Sequence, residues 1–386
     1  MLIKMPKVKT FLDLGLLIFT LKTGFDISAI LPSFGIIDTL VVVLGLGSLF
    51  LAILQQGYSI KTLFTYALIA ILSLCSTYLS GQSVIIVTVV TIMAIRRTDI
   101  SKVIVKIRKW STAFLFVHTL IFFFLVAIGR CNFFSIDLQG RIRASFGFVH
   151  ANTFSIYFFN ILLGWIWENF DKLTGKEILK IWLLETISFL LTNSKTSYFC
   201  AGVFLVLLVM LKSKKLSSKG INVLAAGIVP ALSAIFYCVY ILWLKGNAFI
   251  YLLDTALTGR IELGAYALRK YGVSTIGQKI EYGVLTWTPE WKLNYFTLDC
   301  TYTCLWMNIG WIWIVILSIC FFLLSQKKDS RISLFIIMWA LYAISEVHGL
   351  NGYLCFPIFL IAYLLQDKKN GVLYDKCKSV NNCCGL

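Results

Sequence analysis

The sequence predicts an all-α polytopic membrane protein with about twelve transmembrane helices, and three features carry that prediction. Hydrophobic residues make up 59% of the 386 positions and charged residues only 14%, whereas roughly a quarter of a soluble domain is charged. Apolar runs recur from one end of the chain to the other, and a helix needs about 20 such residues to cross roughly 30 Å of hydrocarbon. Lys and Arg gather in the short polar stretches between alternate runs, the pattern of cytoplasmic loops. A helical bundle follows, because every backbone group in lipid must find its partner within its own segment.

In chain order the candidate spans are 11–31, 36–55, 63–79, 82–95, 110–129, 151–167, 178–192, 198–212, 221–243, 303–325, 332–346 and 352–366. The run 82–95 is short, and 11–31 contains Lys22 and Asp26. Half-insertion of these two would lower the count to about ten. The whole of 1–386 reads as one membrane domain. With both termini cytoplasmic, the inner segments are MLIKMPKVK, QQGYSIK, RRTDISKVIVKIRK, ENFDKLTGKE, KSKKLSSKG, QKKDSR and the tail 367–386. These hold most of the Lys and Arg, so most of the net charge of +17 is an orientation signal on a membrane protein and not a nucleic-acid footprint. The start MLIKMPKVKTFLDLGLLIFTLKTG has the charge and apolar core of a signal peptide but no small-residue cleavage site, and reads as a retained first span.

Several function classes drop out. The eleven Cys lie mostly inside predicted spans and form no CxxC pair, which makes them small apolar residues and not a disulfide framework. The final CCGL fits a prenylation box only formally, since its middle positions are not aliphatic. Three His, with no HExxH, DxD or carboxylate cluster, predict no metal site. No P-loop is present for ATP-driven transport, and no cofactor is expected.

The chemistry is expected in two outer loops, 130–150 and 244–302, joined by the turns TNSKTS (192–197) and EVHGLN (346–351). Arginines outside run against the charge rule, and the planar guanidinium suits a two-point grip on phosphate. Arg141 and Arg143 can converge if Gly140 and Gly147 turn the chain; snorkelling to anionic headgroups is the plainer alternative. His150 and Asn152 fall at the start of the sixth span, where Asn is a good cap and free amides attract an anion. Lys195 stands at the start of the eighth span, and LTGRIELGAYALRKYG offers Arg260, Glu262 and Arg269. Glu262 and Arg269, seven apart, also fit an amphipathic helix resting on the membrane surface. Four outer segments with cations near helix starts suggest one site for a diphosphate or similar anion.

These residues carry a resemblance. RIRASFGFVHANTFSIYFF resembles the element of Wzy-type oligosaccharide repeat-unit polymerases of Gram-positive capsule and exopolysaccharide synthesis, relatives of the O-antigen ligases, in which an Arg shortly precedes G-F-x-H-x-N. LTNSKTSYFCAG is similar to their T-x-S-[RK]-T element, LTGRIELGAYALRKYGVSTIGQKIEYG to T-G-R-x-x-L followed by Y-G-x-x-x-x-G, and LDCTYTCLWMNIGWIWIVIL to the stretch that opens a late span. The likeness runs in order from about 139 to 325. Ala151 replaces a frequent Pro, Lys195 a commoner Arg, and Asp299-Cys300 the His-Asn pair of the ligases.

The resemblance implies a GT-C-like, O-antigen-ligase-like bundle in a bacterial plasma membrane. It implies metal-independent glycosyl transfer at the outer face, between undecaprenyl-diphosphate-linked oligosaccharides, with a flippase and a chain-length regulator as partners. Arg141, Arg143, Lys195 and Arg260 would stabilise the departing diphosphate. Asn152 and Glu262 would bind substrate, and the base would be Asp299, then His150, then Glu346 with His348 beside it. The rivals are a flippase or exporter of lipid-linked oligosaccharide, a ligase serving a cell-surface acceptor, and a membrane acyltransferase. A flippase would line its spans with charge, and here Lys22, Asp26, Asp38 and Glu185 are the few charges in them. An acyltransferase would need His118, which as a lone histidine in a span reads better as a helix–helix hydrogen bond.

Overall fold

The computed structural model describes residues 8–31, 35–136, 140–257, 259–284, 295–344 and 346–366. The tail 367–386, the first seven residues and parts of both loops expected outside (137–139, 258 and 285–294) lie outside the described residues. The chain is a mostly helical membrane protein. Among the described residues, five helices are long and apolar enough to cross a bilayer: α2 (Ile36–Leu54), α3 (Ile60–Ser80), α5 (Ile100–Ala127), α8 (Lys195–Lys212) and α9 (Ser218–Leu244). Their outer faces expose Leu44, Phe50, Phe64, Leu68, Phe116 and Phe124, apolar bands far larger than a water-facing surface carries.

The remaining helices are α1 (Val8–Asp26), α4 (Val84–Ala94), α6 (Ala151–Asn169), α7 (Gly175–Thr192), α10 (Ala248–Ala256), α11 (Arg260–Tyr271), α12 (Thr301–Cys304), α13 (Ile312–Ser325) and α14 (Ser330–Tyr342). α6 and α14 form the centre, with Phe159, Ile166, Trp167, Phe335 and Trp339 in one continuous core. Local chemistry sets the ends. Ser59 caps α3, Asp99 caps α5, and a Thr174–Glu177 capping box starts α7.

Four expectations need correction. The expected span 352–366 is no α-helix: Phe356–Leu364 form a 3₁₀ helix, Pro357 at its start, with Phe359 and Leu360 buried against other helices. At about 2 Å per residue it is too short to span a bilayer. The span 303–325 is broken, since a π-turn at Leu305–Ile309 and Gly310 (φ 118°) separate α12 from α13. The segment 96–109, expected as a loop, is largely the first half of α5. The fold also includes two small hairpins. In the first, β1 (Phe134–Ile136) pairs antiparallel with β2 (Ile142–Ala144), Ser135 opposite Arg143; the second pairs β3 (Gly283–Val284) with β4 (Tyr295–Phe296).

The broken span is repaired from outside. Residues 272–278, which follow α11, lie in the break: Ser274 N donates to Trp306 O (3.0 Å), Trp311 N to Ser274 O (2.9 Å) and Gln278 N to Asn308 O (2.8 Å). Gln278 Nε2 reaches Met307 O at 2.6 Å, and Asn308 Nδ2 returns to Gln278 O at 2.8 Å. A Cβ on Gly310 would lie 2.5 Å from Thr275 O, so only glycine admits the segment. Irregular backbone inside a bundle survives only when protein satisfies it in this way.

Candidate functional site

Two groups of polar side chains gather at the ends of these elements. The first is built on Arg143. Its strand places the side chain inward, 8% exposed, while neighbouring Ile142 faces out. Nε donates to Thr192 O at 2.6 Å, and one terminal nitrogen donates to Asn152 Oδ1 and, at 3.5 Å, to Asn193 O. Asn193 ends α7 in the left-handed conformation (φ 51°). The guanidinium thus ties β2, the start of α6 and the α7–α8 turn together. Behind it, Ser155 Oγ meets Thr192 Oγ1 at 2.8 Å and Ser188 Oγ at 3.3 Å.

The helix-start expectations change accordingly. α6 begins at Ala151 with His150 as its N-cap residue, which makes no side-chain cap bond and is exposed. Asn152 is not a cap, because its amide oxygen accepts from Arg143 instead. Lys195 is exposed in the first turn of α8 behind the buried Ser194, and Arg141 is half-buried just before β2. The backbone oxygens of Thr192 and Asn193 are partners of Arg143 that the sequence reading missed. An Asn closing an apolar run, a C-terminal helix signal, was their one trace.

The second group joins three distant segments. Arg260 is the first residue of α11, and its Nε lies 3.9 Å from Asp299 Oδ2, the two side chains 25% and 44% exposed. Thr297 Oγ1 donates to the other carboxylate oxygen of Asp299 at 2.9 Å. Arg260, Leu263, Gly264, Thr297, Asp299 and Thr303 line a small cleft. The connection after α14 supplies Glu346 and His348. It is fastened by Thr301, whose N donates to Ala343 O (2.9 Å), whose hydroxyl donates to Glu346 O and accepts from Gly349 N (3.2 Å). Thr88 Oγ1 donates to Leu350 O at 2.7 Å and Trp339 Nε1 to Gly349 O at 2.7 Å.

Glu346 is 8% exposed, and its Oε1 has no hydrogen-bond partner among the described residues. Burial pushes its pKa up to about 8; the Arg260 charge pulls it down and the Asp299 charge pushes it up. His348 is held below the usual histidine range by burial, against an opposing pull from Asp299. The group therefore combines a cation and a buried carboxyl with a pKa close to neutrality, the value a general base needs.

Glu262 lies half-buried in the first turn of α11. α11 does not simply rest on a surface: Ile261, Ala265 and Ala267 are buried, and Gly264 packs on the Tyr240 ring of α9. Lys270, at its far end, stacks over Tyr271 and Tyr266 at 5.0 and 5.7 Å. His118 Nε2 contacts Ser28 Oγ at 2.9 Å, joining α5 to the turn after α1.

Compared with known proteins, the chain matches no family model, no curated protein and no solved structure. Fold and geometry define a mostly helical membrane protein that carries these two polar groups.

Proposed function

We propose that the chain is an oligosaccharide repeat-unit polymerase. It transfers a growing glycan from undecaprenyl diphosphate to a sugar hydroxyl of a second lipid-linked unit, at the outer face of a bacterial plasma membrane with both termini inside. The observation that carries this reading is the approach of Arg260 to Asp299, 3.9 Å apart on one small cleft and both within motifs that resemble the polymerases, with the buried Glu346 carboxyl in electrostatic range of the two charges.

In the reaction the acceptor hydroxyl attacks the sugar carbon, the bond to the diphosphate oxygen breaks, and the acceptor proton passes to a carboxylate. Arg260 stabilises the charge that develops on the leaving diphosphate, with Lys195 and Arg141 as outlying cations. Glu346 takes the proton. It ranks above Asp299, which already engages Arg260 and Thr297, and above His150, which sits with the Arg143 group. Arg143, with its donors on Thr192, Asn193 and Asn152, shapes the site and does not grip phosphate. A twelve-span, GT-C-like arrangement belongs to the same proposal.

Mass analysis of lipid-linked glycans in a deletion strain, with glycosidase treatment of intact wall-stripped cells, tests it. Externally accessible single repeats with no long chains are expected. A pool sealed on the cytoplasmic side would point to a flippase. Long chains that stay on the lipid carrier would point to a ligase.

A further inference from the structure

The first turn of α11 is held by a residue outside every motif. Asp254 lies on α10, six positions before Arg260, and is 7% exposed. Its Oδ1 accepts from Ile261 N at 2.7 Å and Glu262 N at 3.2 Å, and its main-chain oxygen accepts from Gly259 N at 3.0 Å. Gly259, the residue in the capping position, is left-handed (φ 79°) and has no side chain to cap with. α11 is therefore capped from a neighbouring helix, which satisfies two amides that a helix start leaves open and places a negative charge at the positive end of its dipole.

This cap has two consequences. The amides at the start of α11 are occupied by a carboxylate, so an anion approaching here meets the Arg260 side chain and not the helix end. The direction of that side chain is set by the first turn, hence by Asp254 on one side. On the other, Gly264 fixes the turn that follows: a Cβ there would lie 2.4 Å from the buried Tyr240 ring.

We infer that Asp254 is a positioning residue, which aims Arg260 at Asp299 and the Glu346 carboxyl without touching substrate. The inference rests on the reading of Arg260 as the diphosphate ligand. Asp254→Asn keeps an oxygen acceptor for both amides, whereas Asp254→Ala removes it; Arg260→Ala serves as the control. The measurements, on full-length protein in proteoliposomes, are hydrogen exchange at the Ile261 and Glu262 amides and elongation of lipid-linked repeat units.

Asp254→Ala is expected to speed exchange at both amides about tenfold or more, the loss of roughly one good hydrogen bond. It should slow elongation by at least about tenfold, with KM for the lipid-linked unit rising, while Asp254→Asn stays within about threefold of the native chain on both readouts. Normal elongation by Asp254→Ala alongside an inactive Arg260→Ala overturns the positioning role alone. An Asn variant as inactive as Ala with its amides still protected overturns it too, because the charge would then act directly. Normal elongation by Arg260→Ala removes the reading of Arg260 and this inference with it. Should Asp254→Ala fail to accumulate, Asp254→Ser, whose shorter hydroxyl cannot hold both amides, takes its place with the same expectations.

Discussion

The Arg143 and Arg260 groups look alike in the sequence: each is an arginine in a short motif, next to a helix start, among outer polar residues. In the fold they differ in what surrounds the charge. Arg143 is buried and donates to backbone oxygens of Thr192 and Asn193 and to Asn152, so it binds three elements into one scaffold. Arg260 is partly exposed beside a half-exposed carboxylate, and its charge reaches the buried Glu346 carboxyl, one oxygen of which has no hydrogen-bond partner among the described residues. A guanidinium whose donors end on carbonyls stabilises the fold; one beside a carboxylate on an open cleft is the one we propose for chemistry.

Substitutions should separate the two groups. The largest effects belong to the second. Glu346→Gln should reduce elongation about 100-fold or more, the scale of a lost general base, and Arg260→Ala by about 100- to 1000-fold, with both proteins inserted at normal abundance. Arg260→Lys should rescue poorly, because a single point charge replaces a fork. Comparable losses of inserted protein in these variants would erase the distinction. Arg143→Ala should instead lower stability by about 2 kcal/mol or more, since buried carbonyls lose their donor; thermal unfolding in detergent reads this, and elongation per folded molecule should fall far less than in Arg260→Ala. Gly264→Ala should cost about 1–3 kcal/mol through overpacking on Tyr240, measured in the same way. Lys195→Ala, at an exposed position, should change KM by no more than about threefold.

The long apolar helices α2, α3, α8 and α9 were legible in the sequence because length and hydropathy alone define them. The segment 352–366 was not, since a buried 3₁₀ helix and a lipid-facing span draw on the same residues; hydropathy reports exclusion from water and not what does the excluding. The break at Gly310 left one glycine as its trace. For the candidate site, the polar segments were visible in the sequence but not which of their side chains the fold brings together. Whether Arg143 would end on a phosphate or on Thr192 O depends on how β2 meets α7, and no local pattern encodes that meeting. Asp254 was hidden for a related reason: it caps a helix other than its own.

The raised pKa of Glu346 has two consequences of opposite use. Its folded value lies above the ordinary carboxylate range, so the folded state holds the proton more tightly. That contribution to stability is complete at low pH and is lost as pH rises to about 8. The catalysis we propose needs the ionised form and would gain over the same interval. The direct test is therefore the rate of chain elongation from lipid-linked repeat units in proteoliposomes, measured across pH for the native chain and for Glu346→Gln. The native rate should climb with pH and level off above about 8, while the variant stays near background at every pH. A native profile that is flat through that range, or a Glu346→Gln protein that elongates as the native chain does, would contradict the account.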